Sequence, residues 1–240
     1  MTYKRSDGRE ADETRKIRAE VGVVPRADGS ALFAFGDTIA IAAVYGPKPL
    51  HPQHLQNPEK GLLRCYYDMM SFSVGERKRP GPSRRSSEIS FVTTNALMPA
   101  LQLGNFPGTV VDVCISILQA NAGTRCAGIN AASMALAHAG ISMSDLVTAV
   151  SVGQIDGQIA VDLTKEEEDY ESGGEKTTDI PISFLPLSGK ISLLQLDGGI
   201  KAEKLKEAIE IAQKTCSKIY EEQKKALKNI ISRKEEKIKE

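Results

Sequence analysis

The chain has no net charge: 31 Lys and Arg are matched by 31 Asp and Glu. No global field draws it to nucleic acid, so attraction to a polyanion has to come from local clustering. Cysteine is sparse, and none of the four (Cys65, Cys114, Cys126, Cys216) stands in a CxxC pair or at metal-ligand spacing. They read as packed, reduced thiols, which places the protein inside the cell, in the cytoplasm. The three histidines are scattered. His51 and His54 fall in a loop, and His138 near a helix end reads as structural. No apolar run is long enough to cross a membrane, and the charged first five residues do not read as a signal peptide. No internal repeat is found. With 240 residues the chain can bury a full core.

Helix and strand patterns interleave. Ala31 to Phe35 and Ile39 to Tyr45 are apolar runs around Gly36-Asp37, a hairpin signal. Gly46 to Lys60 reads as a loop and Met69 to Val74 as a strand. Ser83 to Leu101 places Ile89, Val92, Ala96, Leu97 and Leu101 on one helical face. Val110 to Leu118 is a buried strand, followed by a helix from about Thr124 to Ala139 that Gly140 stops. Val147 to Leu163 and Ile180 to Leu196 are hairpins around Asp156-Gly157 and Ser188-Gly189. A helix from Lys201 to about Lys237 is amphipathic at first. Its last twenty residues are dense in Lys and Glu and are expected to project or fray.

Three stretches carry chemistry. The first is Gln119-Ala-Asn-Ala-Gly-Thr-Arg125, ahead of a helix rich in Ala, Gly and Ser. A helix N-terminus offers unpaired N–H groups and partial positive charge, which suit a phosphate. Thr124 adds a hydroxyl donor and Arg125 a fork for phosphate oxygens. An ordinary capped helix with a surface arginine is the competing reading.

The second stretch is Glu76-Arg-Lys-Arg-Pro-Gly-Pro-Ser-Arg-Arg85. It gathers Arg77, Lys78, Arg79, Arg84 and Arg85, a candidate contact for a phosphate backbone. Arg84 and Arg85 open a helix, where the macrodipole disfavours cations unless an anion is present. Lys78 reads as solvated. The third stretch is acidic: Glu166 to Glu171 reads as a hydrated loop, and Asp179 stands at a strand start. A carboxylate there can hold Mg²⁺ beside phosphates or donate a proton to a leaving oxygen, and spacing alone does not choose.

The chain resembles the RNase PH family from Arg5 to about Tyr220. The motifs are Arg5-Ser-Asp-Gly-Arg9, Asp12-Glu-Thr-Arg15, Ile17-Arg-Ala-Glu-Val-Gly22, Gly29-Ser-Ala, Ala43-Val-Tyr-Gly-Pro47, Ser83-Arg-Arg85 with Glu88-Ile-Ser90, Gln119 to Arg125, and Thr178-Asp-Ile-Pro181. The Ala-Val-Tyr-Gly-Pro and double-arginine motifs favour the catalytic archaeal exosome branch of that family.

The resemblance implies an α+β fold of the ribosomal protein S5 domain 2 type, with mixed sheets packed against helices. It implies a catalytic domain over residues 1–220 and a charged helical tail over 221–240. The implied activity is 3′→5′ phosphorolysis of single-stranded RNA, with release of nucleoside diphosphates, or in reverse the growth of RNA tails. Inorganic phosphate would be co-substrate, with a divalent cation, Mg²⁺ or Mn²⁺.

Gly123, Thr124 and Arg125 match the family's phosphate site, and Arg84 and Arg85, with Arg77 beside them, its RNA contacts. Asp179 matches the essential acid, as proton donor or metal ligand. The implied partners are a related inactive subunit in a hexameric ring of three heterodimers and RNA-binding cap subunits; no membrane is involved. The chain departs from the family in Gly174-Glu-Lys-Thr-Thr-Asp179, which is longer than usual. The family's second carboxylate position falls on Gly173, and the nearest earlier aspartate, Asp169, is the candidate to replace it at the metal. Two other readings stay open: a non-catalytic RNA-binding scaffold of the ring, and a homohexameric tRNA-trimming phosphorylase.

Overall fold

The structure, a computed structural model, describes the backbone of residues 3–172 and 175–239, and side chains throughout that range except at 172–176 and beyond 229. Two antiparallel-rich sheets enclose one helix. The first sheet holds β1 (Ile17–Val21), β2 (Gly29–Phe35), β3 (Thr38–Pro49), β4 (Leu62–Met69) and β5 (Thr109–Gln119), in the order β1-β2-β3-β5-β4. β4 runs parallel to β5, and the other pairs are antiparallel. The second sheet holds β6 (Thr148–Ile155), β7 (Gln158–Val161), β10 (Thr178–Leu185) and β11 (Lys190–Leu194), in the order β11-β10-β6-β7. A small pair, β8 (Glu171–Ser172) and β9 (Glu175–Lys176), stands apart.

Between the sheets lies α2 (Thr124–His138), TRCAGINAASMALAH, with every residue from Cys126 to Leu136 buried. A helix enclosed on all sides has no room for a polar face, and its small residues let both sheets close on it. α1 (Arg84–Leu97) packs against β4 and β11, and α4 (Ala202–Lys239) against β6 and β1. α3 (Lys165–Glu168) is a single turn.

The Gly36-Asp37 hairpin forms, with Phe35 paired to Thr38, and so do the two hairpins of the second sheet. Other sequence expectations need correction. No strand covers Met69 to Val74. The strand is Leu62–Met69, with Leu63, Cys65 and Tyr67 inward, and a turn follows in which the Ser73 N–H donates to the Met70 carbonyl at 2.9 Å. The helix expected over Ser83–Leu101 begins at Arg84, with Ser83 as its cap, and gives way to a 3-10 turn at Met98–Ala100. Pro99 has no N–H to continue it. β3 runs on to Pro49, into the expected loop. β1, unread in the sequence, follows the strict alternation Ile-Arg-Ala-Glu-Val. Cys114 is exposed, while Cys65, Cys126 and Cys216 are buried. Packing of α4 passes residue 220: Gln223 is fully buried and bonds Asn130 and the Val147 carbonyl, and Ala226 lies against the core.

Candidate active site

One cavity of about 550 Å³ opens where the two sheets and α2 meet. It is lined by the loop after β4 (Val74, Gly75, Glu76, Lys78), by Arg85 of α1, and by the turn Ala122-Gly123 with Thr124 and Arg125 of α2. Ser151 of β6, Lys165 and Glu168 of α3, and Asp179 of β10 also line it. Segments far apart in sequence thus bring the expected anion site, one expected arginine and the expected acid to one place.

The turn before α2 is built for close approach. Ala122 (φ 54°) and Gly123 (φ 63°) are both left-handed, and Gly123 is the helix cap. Glycine takes that conformation freely, whereas Ala122 must be held in it. The holding groups lie behind: Thr38 Oγ1 lies 2.8 Å from the carbonyls of both Asn121 and Ala122, which share its one proton, and Arg15 Nη1 donates to the Asn121 carbonyl at 2.5 Å. The helix start has no side-chain cap to take up its first N–H groups, and the residues that carry them, Thr124 to Cys126, line the cavity. Thr124 Oγ1 accepts a hydrogen bond from the Tyr67 hydroxyl at 2.9 Å. Arg125 donates to Gln195 Oε1, and Gln195 Nε2 in turn to Glu88. A neutral amide orients the guanidinium and leaves its charge for an anion.

Asp179 lies at the start of β10, half-buried, and accepts a hydrogen bond from Ser151. Ser151 pairs with Pro181 in the register, which sets it diagonally across from Asp179 on the same face. Burial pushes the Asp179 carboxyl above the ordinary carboxylate range. The Ser151 bond and the Arg125 charge oppose that shift, while the Glu168 and Asp197 charges add to it. A carboxyl with a raised pKa beside an anion site is a candidate proton donor.

Several expected residues lie elsewhere. Arg84 and Arg77 are exposed and do not line the cavity. Lys78, expected to be solvated, lines it and is tied to Asp68 at 2.7 Å. The acidic stretch is not a hydrated loop: Glu167 is fully buried, bonded through both oxygens to Arg5 at 2.8 Å, and closes the capping box of α3 with Thr164. That turn aims Glu168 at the cavity. Asp169 instead bonds Lys165 at 2.7 Å, with its side chain 63% exposed, and is not brought to Asp179. Lys165 also reaches Glu168, at 3.3 Å. Gly173 and Gly174 of the lengthened segment lie outside the described residues. His51 and His54 are exposed, and His138 Nδ1 accepts the Ser30 N–H at 3.1 Å, a structural role. Sequence reasoning missed Tyr67, Ser151, Lys165, Glu168 and Gln195. The alternation of β4 and β6 could have pointed Tyr67 and Ser151 inward, but nothing local singles out Gln195.

Comparison with known proteins places the chain in a family. The 3′ exoribonuclease family models match over residues 13–142 for domain 1 and 145–215 for domain 2. The chain belongs to the RNase PH family of 3′ exoribonucleases. It is 53% identical over 225 residues to the exosome complex component Rrp41 of Thermococcus kodakarensis, covering 94% of this chain and 88% of that one. Against the Rrp41 of Methanopyrus kandleri the figures are 48% over 224 residues, with 93% and 92% covered. Among solved structures, rice Rrp46 superposes with a TM-score of 0.80 at 27% identity, over 93% of this chain and all of that one. The Archaeoglobus fulgidus exosome with RNA bound to the active site shares the fold, with a TM-score of 0.76 at 23% identity over 91% and 92% of the chains. This RNase PH-type chain is a phosphate-dependent 3′→5′ exoribonuclease of the exosome kind, with inorganic phosphate as co-substrate. Among the described residues, no helix is long and apolar enough to cross a membrane.

Proposed function

We propose that this chain is the catalytic subunit of a hexameric exosome ring of three heterodimers, each pairing it with a related inactive subunit. RNA-binding cap subunits cover the ring, which works in the cytoplasm. Single-stranded RNA enters with its 3′ end in the cavity, inorganic phosphate attacks the last phosphodiester, and a nucleoside diphosphate leaves. Run backwards, the same site extends RNA tails. The observation that carries this reading is the meeting of Gly123, Thr124 and Arg125 with Arg85 and Asp179 in one cavity. The catalytic unit reaches to Gln223 and Ala226 of α4, and only the helix beyond them is an appended charged tail.

Attacking phosphate and scissile phosphodiester are both anions, so bringing them together costs Coulomb energy. The α2 N-terminus, Thr124 and Arg125 hold the phosphate, and Arg85 faces the RNA backbone. Arg84 and Arg77, outside the cavity, serve the incoming strand. Asp179 passes its proton to the leaving 3′ oxygen, and Ser151 holds the carboxyl in place.

The residues present fit a divalent cation, Mg²⁺ or Mn²⁺. Glu168 lines the cavity with Asp179, and Mg²⁺ is commonly held by one or two carboxylates together with substrate phosphate oxygens; Glu168 would take that role, because an Asp179 ionised to bind the cation has no proton to pass. Among the described residues no cluster of three His, Cys, Asp or Glu makes a metal cage, so substrate oxygens and water would complete the shell. When bound, the cation would neutralise charge on the phosphates. Backbone arginines read phosphates and not base edges, so sequence selectivity is low.

The test is RNA degradation with and without phosphate, by the chain alone and with its related subunit. The expected result is nucleoside diphosphate release that needs both phosphate and the partner. Release without phosphate overturns the phosphorolytic reading, and full activity of the lone chain favours a homohexameric phosphorylase. No release under any condition leaves the chain as an RNA-binding scaffold.

A further inference from the structure

Tyr67 lies near the C-terminal end of β4, 4% exposed, with its ring turned onto α2. The ring lies over Gly128: a Cβ there would stand in ordinary contact with it, 3.7 Å from Tyr67 Cε2, and closer, 3.1 Å, to Ile115 Cγ2. The Tyr67 hydroxyl donates to Thr124 Oγ1 at 2.9 Å, away from solvent. Burial pushes the phenol above its ordinary range, against the pull of the Thr124 bond and of Arg85 and Arg125, so it remains a donor at neutral pH.

A hydroxyl carries one proton and two acceptor sites. A phenol oxygen shares its lone pair with the ring and accepts poorly, while an aliphatic hydroxyl accepts well. With the Tyr67 proton on Thr124 Oγ1, the Thr124 proton is turned away from the ring, and the cavity that Thr124 lines is the open direction. We propose that Tyr67 is a positioning residue: its hydrogen bond locks the Thr124 rotor so that the Thr124 O–H points at the attacking phosphate. No proton leaves either residue. The free rotor would have to be ordered when phosphate binds, and Tyr67 removes that cost beforehand. This inference rests on the cavity being the phosphate site.

The test follows rate against inorganic phosphate, with single-stranded RNA and the chain assembled with its related subunit. Wild type, Tyr67→Phe, Thr124→Val and the double variant are compared, and RNA affinity is measured beside each. Tyr67→Phe is expected to raise half-saturating phosphate about fivefold, the worth of one neutral hydrogen bond of about 1 kcal/mol. The rate at saturating phosphate and the RNA affinity should stay within about twofold of wild type. The double variant should match Thr124→Val, because the hydroxyl that Tyr67 orients is already gone.

An unchanged phosphate response in Tyr67→Phe, or an effect that adds fully to that of Thr124→Val, overturns the proposal. So does a loss confined to maximal rate or RNA affinity, which marks a packing role. A second variant stands if Tyr67→Phe does not fold. Thr124→Val, which lacks the hydroxyl that Tyr67 orients, should by itself raise half-saturating phosphate; a wild-type phosphate response in it overturns the proposal. A wild-type rate that ignores phosphate would instead sink the reading of the cavity on which the inference rests.

Discussion

Arg15 closes on Asp162 through two parallel hydrogen bonds, Nη2 to Oδ1 at 2.7 Å and Nε to Oδ2 at 2.9 Å, with both side chains almost wholly buried. The same guanidinium bonds the Asn121 carbonyl, and Asn121 Oδ1 accepts the Lys165 N–H at 2.9 Å. One arginine near the N-terminus therefore joins the end of β7, the turn before α2 and the start of α3. The ion pair stands directly behind Gly123 of the proposed phosphate site, and a bidentate fork holds it rigid.

Without the Arg15 guanidinium the buried Asp162 carboxylate keeps the Arg15 backbone N–H at 2.8 Å and Arg9 at 3.5 Å but loses its closest charge partner. Arg15→Met is expected to lower stability by about 3 kcal/mol or more. Urea unfolding of the variant, read as a fall in midpoint at constant slope, measures it. The phosphate response of the surviving folded protein should also weaken, because Ala122 loses part of what holds it left-handed.

Arg125→Ala is expected to raise half-saturating phosphate far more than it weakens RNA binding. A charge-assisted hydrogen bond is worth ~1.5–3 kcal/mol, or about ten- to a hundred-fold in concentration. Rate against phosphate for variant and wild type decides it, and a matching response removes Arg125 from the site.

The carboxylates are expected to fall in a fixed order. Asp179→Asn abolishes phosphorolysis while RNA still binds, since the amide keeps the shape but carries no transferable proton. Glu168→Gln costs an intermediate amount, together with a raised requirement for divalent cation. Asp169→Asn stays near wild type, because its side chain is exposed and engaged by Lys165. Turnover at several Mg²⁺ concentrations ranks the three, and a larger loss at Asp169 than at Glu168 would return the second carboxylate to Asp169.

Arg85 lines the cavity and Arg84 does not. Replacing both by Ala should weaken RNA binding alike across sequences. It should also flatten the salt dependence by about 0.7–1 unit of log–log slope for each phosphate that is no longer neutralised. Arg85→Ala alone should also lower turnover, while Arg84→Ala alone should not. Fitted affinities at several salt concentrations, with single-turnover rates, separate them.

Asp112 gives a pH prediction independent of the site. Burial raises its pKa, but hydrogen bonds from Arg64 at 2.7 Å and from Lys48 at 2.7 Å outweigh that, and the carboxyl lies below its ordinary range. The folded state then binds fewer protons than the unfolded one across the carboxylate range. The stabilisation is full above the unfolded pKa and is lost as pH falls through the folded one. Asp112→Asn should therefore be less stable at neutral pH and lose less on acidification, as denaturation midpoints at pH 7 and in the acid range will show.

Much of this protein was legible in its sequence because the signals are local. The hairpin at Gly36-Asp37, the buried strand before Gln119 and the Gly-Thr-Arg turn each follow from neighbouring residues, since turn chemistry and apolar period act over a few positions. The family motifs point to Arg125, Arg85 and Asp179, which the fold brings to one cavity, and to Arg84, Arg77 and Asp169, which it does not. What the sequence could not supply was which long-range neighbours those residues would have. Glu168 and Asp169 are adjacent in a run of acids, and only the α3 turn, pinned by Arg5 to Glu167, sends one into the cavity and the other to Lys165. Tyr67 and Thr124 lie 57 positions apart, and Arg125 and Gln195 lie 70 apart. Their hydrogen bonds exist because two sheets close on α2, and the direction of a side chain in such a contact is fixed by packing across the core and not by its neighbours in the chain.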